Sequence, residues 1–187
     1  MKVRYISQLL HMTICAAFGL TSPLACAEQP SQRIEGAFLQ VGEASHTLSV
    51  TAGIYWKLSW HTDWHGTSLE TYVETSLGRW HIREDGATHS PWISQVGVTP
   101  VLRVNFGGES QAWFSELGIG ANVLAPLFRE NDRRFSTTFN FGDHVAIGRH
   151  LDEENDLVLR LQHYSNGGIK HPNPGVNFLQ LRWMRRF

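Results

Sequence analysis

Hydrophobic and polar residues alternate with a period of two over most of the chain beyond residue 32. Between residues 157 and 162, for example, Leu157, Leu159 and Leu161 alternate with Arg160 and Gln162. This period indicates β-strands that each have one apolar face, and residues that favour turns separate them. The pattern predicts eight strands, over residues 33–42, 46–61, 67–82, 92–107, 111–124, 134–149, 156–165 and 177–187.

Eight antiparallel strands of about ten residues suffice to close the smallest type of outer-membrane barrel. We therefore predict an all-β fold, an eight-stranded antiparallel transmembrane β-barrel of the outer membrane. In the sixth strand, Phe135, Phe139 and Phe141 are expected to share the apolar face. With both termini in the periplasm, the loop of residues 166–176 is expected to be extracellular. No transmembrane helix is expected, because the chain after the leader has no run of about 18 apolar residues.

A soluble lipocalin-like barrel or sandwich in the periplasm is the alternative, because alternation alone does not tell which face points inward. Three observations favour the membrane. The last predicted strand ends on an aromatic residue, Phe187, and several of the seven Trp residues lie near predicted strand ends, where interfacial girdles form. The third is an export signal preceding a chain without cysteine.

The first 27 residues have the composition of a secretory signal peptide. Basic residues precede an apolar stretch at 9–20, and Ala25-Cys26-Ala27 provides a site for cleavage. We predict a signal peptide over 1–27 and a single barrel domain over 28–187. A lipoprotein anchored at Cys26 is disfavoured because proline stands three residues earlier, and a retained helix because the apolar stretch is short of about 20 residues.

The composition narrows the partners and cofactors further. A formal net charge of −1 argues against a general nucleic-acid binder. The only two cysteines lie in the predicted signal peptide, which excludes a disulfide framework within the exported chain. The histidines lack the spacing of metal-binding motifs, so no metal and no cofactor are predicted. No patch in the sequence identifies a subunit interface, so the sequence is compatible with a homodimer as well as with a monomer.

The end of the seventh predicted strand has a pair of residues suited to nucleophilic catalysis. His163 and Ser165 continue the leucine face, so their side chains point the same way. The imidazole could then accept the hydroxyl proton as the serine attacks. On the lipid-facing side, such a nucleophile would meet membrane lipid. The alternative is two polar residues at a strand rim, because so short a motif is common by chance.

The loop that follows is rich in Asn, Gly and Pro. Its glycines allow backbone N–H groups to turn toward a developing oxyanion, and Asn166 and Asn173 have amide donors that could assist. The same composition also suits an ordinary turn. Asn177 shares the face of Leu179 and is therefore expected across the hairpin from His163.

Residues 163–175, His-Tyr-Ser-Asn-Gly-Gly-Ile-Lys-His-Pro-Asn-Pro-Gly, resemble the motif of the outer-membrane lipid A 3-O-deacylase family, PagL. The upstream block Phe141-Gly-Asp-His144 resembles a second motif of that family. The resemblance implies an eight-stranded barrel that removes the ester-linked 3-hydroxyacyl chain at position 3 of lipid A. It implies a Ser-His-Glu triad without metal, with Ser165 as nucleophile and His163 as general base.

The resemblance also extends to residues around this pair. Positions that shape the family's oxyanion hole are occupied here by Asn166, Gly168 and Asn173, and positions near its site by Phe141 and Asp143. One position departs from the family, because the acid expected fourteen residues after the histidine is Asn177. An amide oxygen can accept the imidazole hydrogen bond but provides no counter-charge. Asp143 is a candidate for the missing carboxylate.

The sequence thus predicts a lipid A 3-O-deacylase in the outer membrane, with lipopolysaccharide as substrate. A catalytically silent barrel with a structural or surface-binding role is the alternative, chiefly because of Asn177. A soluble periplasmic lipid-binding barrel is the third hypothesis.

Overall fold

The computed structural model describes residues 33–65, 67–83, 91–106, 112–131 and 133–187. The predicted signal peptide and its cleavage site lie outside these residues. The eight predicted strands are present, most with ends shifted by a few residues, and two short strands are added. The elements are β1 (Gly36–Ala44), β2 (Thr47–Trp64), β3 (Thr67–Ile82), β4 (Trp92–Phe106), β5 (Trp113–Ala125), β6 (Arg129–Glu130), β7 (Arg133–Arg134), β8 (Phe139–His150), β9 (Asn155–Ser165) and β10 (Val176–Arg186).

Eight of these strands close into an antiparallel barrel with the order β1-β10-β9-β8-β5-β4-β3-β2. The barrel closes where β1 pairs with β10, with Gly36 opposite Arg186. Strands β6 and β7 pair only with each other, in the connection between β5 and β8. Within the described ranges there is no helix long and apolar enough to cross a membrane.

The apolar residues of the alternating pattern point away from the barrel axis. On β9, Leu161 is 58% exposed whereas Arg160 is 1% exposed, and on β10 the values are 49% for Leu181 and 1% for Arg182. A soluble barrel has the reverse arrangement, whereas an apolar exterior is typical of a barrel surrounded by lipid. The hypothesis of a soluble periplasmic barrel is therefore wrong.

Charged side chains fill the middle of the barrel. Glu74 lies 3.0 Å from Arg160, and Glu116 lies 2.7 Å from Arg103. Buried charges are tolerated where they are paired, and three cations here face three carboxylates. A cavity that Glu74, Arg160 and Arg182 help to line has a volume of only about 10 Å³, so the barrel interior is packed there rather than open. The ionic layer consists of Arg103, Arg160, Arg182, Glu74, Glu116 and Asp156.

Apolar clusters cover this layer on both sides, and one of them corrects a prediction. Phe135 was expected on the outer face of the sixth strand, but that strand begins only at Phe139. Phe135 instead lies buried in the preceding loop, with its ring centroid 5.1 Å from that of Phe128. Both rings join Trp80 and Phe178 in an apolar cluster inside the barrel. A loop residue therefore plugs the barrel end, because the loop folds inward over the opening.

The connections between strands orient the barrel in the membrane. Residues 126–138 and 166–175 form connections at one end, whereas the turn of residues 151–154 lies at the other. Outer-membrane barrels have their longer loops outside the cell and short turns in the periplasm. The end of β9 that holds Ser165 is therefore the extracellular end.

Candidate active site

The barrel register places two polar side chains on either side of His163. Strand β9 lies between β8 and β10, and His163 pairs with Asp143 on β8 and with Asn177 on β10. Directly opposed residues in antiparallel strands have Cβ atoms about 4.5–5.5 Å apart. The three side chains therefore form a row across the outer face near the extracellular end of the barrel.

The His163 imidazole is held by a hydrogen bond to Asn177. Its Nδ1 atom lies 2.6 Å from the side-chain oxygen Oδ1 of Asn177. Because a carbonyl oxygen only accepts, Nδ1 is the donor in this hydrogen bond, and in the neutral form of the imidazole Nε2 is then the basic nitrogen. This tautomer is the one that a general base beside a serine requires.

Ser165 is the last residue of β9 and shares the outer face with His163. The N–H of Gly167 donates to Ser165 Oγ over 3.4 Å. Gly167 has a φ of 63°, and a Cβ built on it would lie 3.0 Å from the ring of Phe141. Phe141 is also the register partner of Ser165. Phe141 and Gly167 together support the turn that presents the hydroxyl.

Asn166 is the centre of the loop that follows Ser165. It is fully buried, and its Nδ2 donates to Ser136 Oγ at 3.1 Å and to the carbonyl of Lys170 at 2.7 Å. Its backbone N–H donates to Asn173 Oδ1, and its own Oδ1 accepts from the N–H of Gly168, both at 3.0 Å. Asn166 therefore bonds to both of the other predicted site residues of this loop, Gly168 and Asn173, and these bonds fix the loop beside the serine.

Asp143 projects to the outer face, next to His163. Its Oδ1 atom is buried and has no hydrogen-bond partner among the described residues. The following residue, His144, is buried and points into the barrel, as alternation along a strand requires. Asp143 and His144 are therefore on opposite faces of β8, and the Asp143 carboxylate is on the outer face with His163 and Ser165.

Gly175 contacts the imidazole, a role that the sequence did not reveal. A Cβ built at this position would lie 2.7 Å from Cε1 and 3.3 Å from Nε2 of His163. The residue has a φ of 65°, and its carbonyl accepts a hydrogen bond from Arg133. The only sequence signal was a glycine after a proline at a strand start, which equally suits an ordinary turn.

An apolar groove on the outer face adjoins these residues. It has a volume of about 750 Å³, and Asp143, His163 and Asn177 lie in its wall. Most of the other outward-facing side chains in the wall are aliphatic. They are Leu117, Ile119, Val145, Leu161 and Leu179.

The arrangement is suited to acyl transfer at a lipid surface. It joins a hydroxyl, an imidazole with a fixed tautomer, a backbone N–H beside the hydroxyl, and a groove that can hold an alkyl chain. In the part of the chain that the structure describes, no cluster of three His, Cys, Asp or Glu side chains could hold a metal ion.

The amino-acid sequence of this chain matches a known protein family. The model of the lipid A 3-O-deacylase (PagL) family matches residues 48–186. Lipid A deacylase PagL of Bordetella bronchiseptica is 32% identical over 172 residues, which cover 91% of this chain and 94% of that protein. Lipid A deacylase PagL of Pseudomonas aeruginosa is 27% identical over 180 residues, with coverages of 94% and 96%.

A solved structure supports the fold. The crystal structure of the outer membrane enzyme PagL matches with a TM-score of 0.67 and 23% identity, over 80% of this chain and 97% of that chain. The eight-stranded closed barrel and its apolar exterior therefore agree with an outer-membrane location. The family match spans β2 to β10 and so includes His163, Ser165 and their loop. The chain belongs to the lipid A 3-O-deacylase (PagL) family of outer-membrane β-barrels.

Proposed function

We propose that this barrel hydrolyses the ester that links a 3-hydroxyacyl chain to position 3 of lipid A. The observation that supports this most is the position of the His163 and Ser165 pair. It lies on the lipid-facing surface, at the extracellular end of the barrel, beside an apolar groove of about 750 Å³. A substrate must therefore present its ester near the surface of the outer leaflet, which is where lipid A holds its acyl chains.

Ser165 acts as the nucleophile. Its Oγ attacks the ester carbonyl while Nε2 of His163 takes the hydroxyl proton. The N–H of Gly167 lies on the Oγ side of the turn, 3.4 Å from that atom, and is the donor we assign to the oxyanion. Phe141 supports this turn by packing its ring against Gly167.

The intermediate then collapses to an acyl-enzyme. The bond to the sugar oxygen breaks, and the imidazolium of His163 returns its proton to that oxygen, which leaves as the 3-hydroxyl group. Water, deprotonated by His163, attacks the acyl-enzyme and releases the 3-hydroxy fatty acid, and the proton returns to Ser165. Asn166 holds the loop in place through its hydrogen bonds with Gly168 and Asn173.

Asn177 and Asp143 together replace the acid of the triad: Asn177 orients the imidazole, and Asp143 provides the negative charge. Asn177 fixes the tautomer of His163 through the 2.6 Å hydrogen bond but has no charge. Asp143 is the carboxylate opposite His163 on the other neighbouring strand, and its Oδ1 has no hydrogen-bond partner among the described residues. We assign to Asp143 the counter-charge that stabilises the imidazolium formed during each proton transfer.

This assignment predicts compensation between the two positions. Asn177→Glu is expected to raise kcat/KM on lipid A about tenfold, and Asp143→Asn to lower it about tenfold, because each change alters one charge beside the imidazolium. In the Asn177→Glu background the Asp143→Asn loss should shrink to about twofold, since a second carboxylate is then present.

The purified, folded barrels can be compared in detergent with lipid A as substrate. A fall in turnover for Asn177→Glu with an intact fold would count against Asn177 as the replacement for the acid. Equal losses for Asp143→Asn in both backgrounds would assign Asp143 a structural role instead.

Mass spectrometry of lipid A tests the function itself. Cells of a Gram-negative host that makes lipid A with a 3-O-linked chain are compared with and without the barrel, once heat-modifiable migration shows that it is folded. The expected result is the loss of one 3-hydroxyacyl mass, with the amide-linked chains retained. Unchanged lipid A, in the cells and with the purified barrel, would favour a catalytically silent barrel, the hypothesis that the Asn at position 177 supports.

A further inference from the structure

A cationic and aromatic cluster lies on the outer face of β3 and β4, away from the candidate catalytic residues. The outward pairs near the extracellular end of these strands are Arg79 with Ser94 and His81 with Trp92. The Trp80 side chain points into the barrel, and so would a Cβ built on Gly78. Arg79 lies between these two residues and therefore projects toward lipid. In the closed strand order, β3 is four strands from β9, on the other side of the barrel.

Contacts on both sides hold the Arg79 guanidinium in place. Its Nη1 donates to Ser94 Oγ at 2.5 Å, and its Cζ lies 5.6 Å from the ring centroid of Trp92. The His81 ring packs against the same indole in a tilted arrangement, with a centroid distance of 4.4 Å. No carboxylate among the described residues forms an ion pair with Arg79, so its charge lacks a partner within that part of the protein.

Below this cluster the outer face becomes an apolar groove of about 730 Å³. The next outward pair along the strands, Leu77 with Val96, forms part of its wall. Ala52 on β2 and Ala121 on β5 also line the groove, where larger side chains would fill it. The Arg79 guanidinium therefore lies at the extracellular end of a groove that can hold an alkyl chain, at the level of the lipid headgroups.

We propose that Arg79, with Ser94 and Trp92, binds a phosphate of an outer-leaflet lipid A molecule at a second lipid site. A guanidinium forms strong charge-assisted hydrogen bonds with phosphate oxygens, and that of Arg79 has no carboxylate partner among the described residues. The indole suits the boundary between glucosamine and acyl chains, and the groove accepts an alkyl chain beneath it. This site depends on the location of the barrel in the outer membrane but not on catalysis by Ser165.

The periplasmic end of the barrel provides a matched control. Arg149 on β8 is opposite Trp113 on β5, and its Cζ lies 5.6 Å from the indole centroid, the same distance as in the Arg79 pair. This pair lies at the other end of the strands, where it meets the inner leaflet rather than lipid A. Arg149 and Trp113 also lie outside the groove of about 730 Å³, so Arg149→Gln removes an equivalent cation that is not beside this groove, a difference that persists in detergent.

Native mass spectrometry in detergent can count the lipid A molecules bound to each barrel. All variants contain Ser165→Ala, so that bound lipid is not consumed and the result does not depend on the proposed activity. We expect two bound lipid A molecules for Ser165→Ala alone and for Ser165→Ala with Arg149→Gln. With Arg79→Gln the second molecule should bind about tenfold more weakly, as should lipid A stripped of its phosphates.

Several outcomes would overturn the proposal. One is that the second lipid A molecule binds equally well with and without Arg79→Gln. Another is that Arg149→Gln weakens this binding as much as Arg79→Gln does. A third is that dephosphorylated lipid A binds at the second site as tightly as lipid A with its phosphates. A single bound lipid that Arg79→Gln does not weaken would also overturn it, because no lipid A molecule would then occupy the cluster around Arg79. Heat-modifiable migration of each variant verifies the fold.

Discussion

Replacing Ser165 by alanine is expected to lower kcat for lipid A deacylation by about a thousandfold or more, and His163→Ala to do the same. The two side chains act as one unit, because the hydroxyl is a weak nucleophile unless Nε2 of the imidazole takes its proton. The double variant should therefore be no slower than either single variant. Single-turnover rates of the purified barrels on lipid A, with product measured by mass spectrometry, test both statements.

The fold of these variants should be unchanged, since both side chains lie on the outer face and outside the ionic layer of the interior. Heat-modifiable migration is the control for folding. Losses that multiply in the double variant would show that the two residues act independently. Retention of full activity by Ser165→Ala would assign the nucleophile to another residue.

The strands and their faces could be predicted from the sequence because both depend on local patterns. An apolar residue at every second position, as at Leu157, Leu159 and Leu161, defines a strand whatever it pairs with. The pattern could not tell which face points inward. The structure answers this through the buried Arg160 and Arg182, which pair with acids from other strands.

Phe135 shows the limit of such local patterns. It shares the parity of Phe139, but the chain between them is a loop that places the Phe135 ring against Phe128 inside the barrel. Parity has meaning only within a continuous strand, and nothing local marks where this strand begins.

The candidate site could be predicted only in part, for a related reason. His163 and Ser165 are two residues apart, so their common face follows from strand geometry alone. The position of Asp143 depends on the register between β8 and β9, and a shift of one residue would turn it into the barrel. The contact between Gly175 and the imidazole depends on the path of a whole loop. Arg79 is an isolated residue in the sequence, and only its cross-strand neighbours reveal a cluster.

Gly175→Ala is expected to reduce kcat/KM about a hundredfold while the barrel still folds. The added methyl would lie 2.7 Å from Cε1 of His163, closer than two carbon atoms can approach without movement. The imidazole must then turn away from Asn177, which breaks the hydrogen bond that fixes its tautomer. A displacement of about 1 Å in a catalytic group is enough for a loss of this size.

Gly168→Ala separates this clash from backbone strain. Gly168 has a φ of 82°, also in the left-handed region, but a Cβ built there meets no atom within 4 Å. Alanine at either position adds about 1–2 kcal/mol of strain, whereas only Gly175→Ala moves the ring. We therefore expect Gly168→Ala to lose severalfold less activity than Gly175→Ala. Equal losses would mean that strain in the loop, rather than contact with His163, explains why glycine occupies position 175.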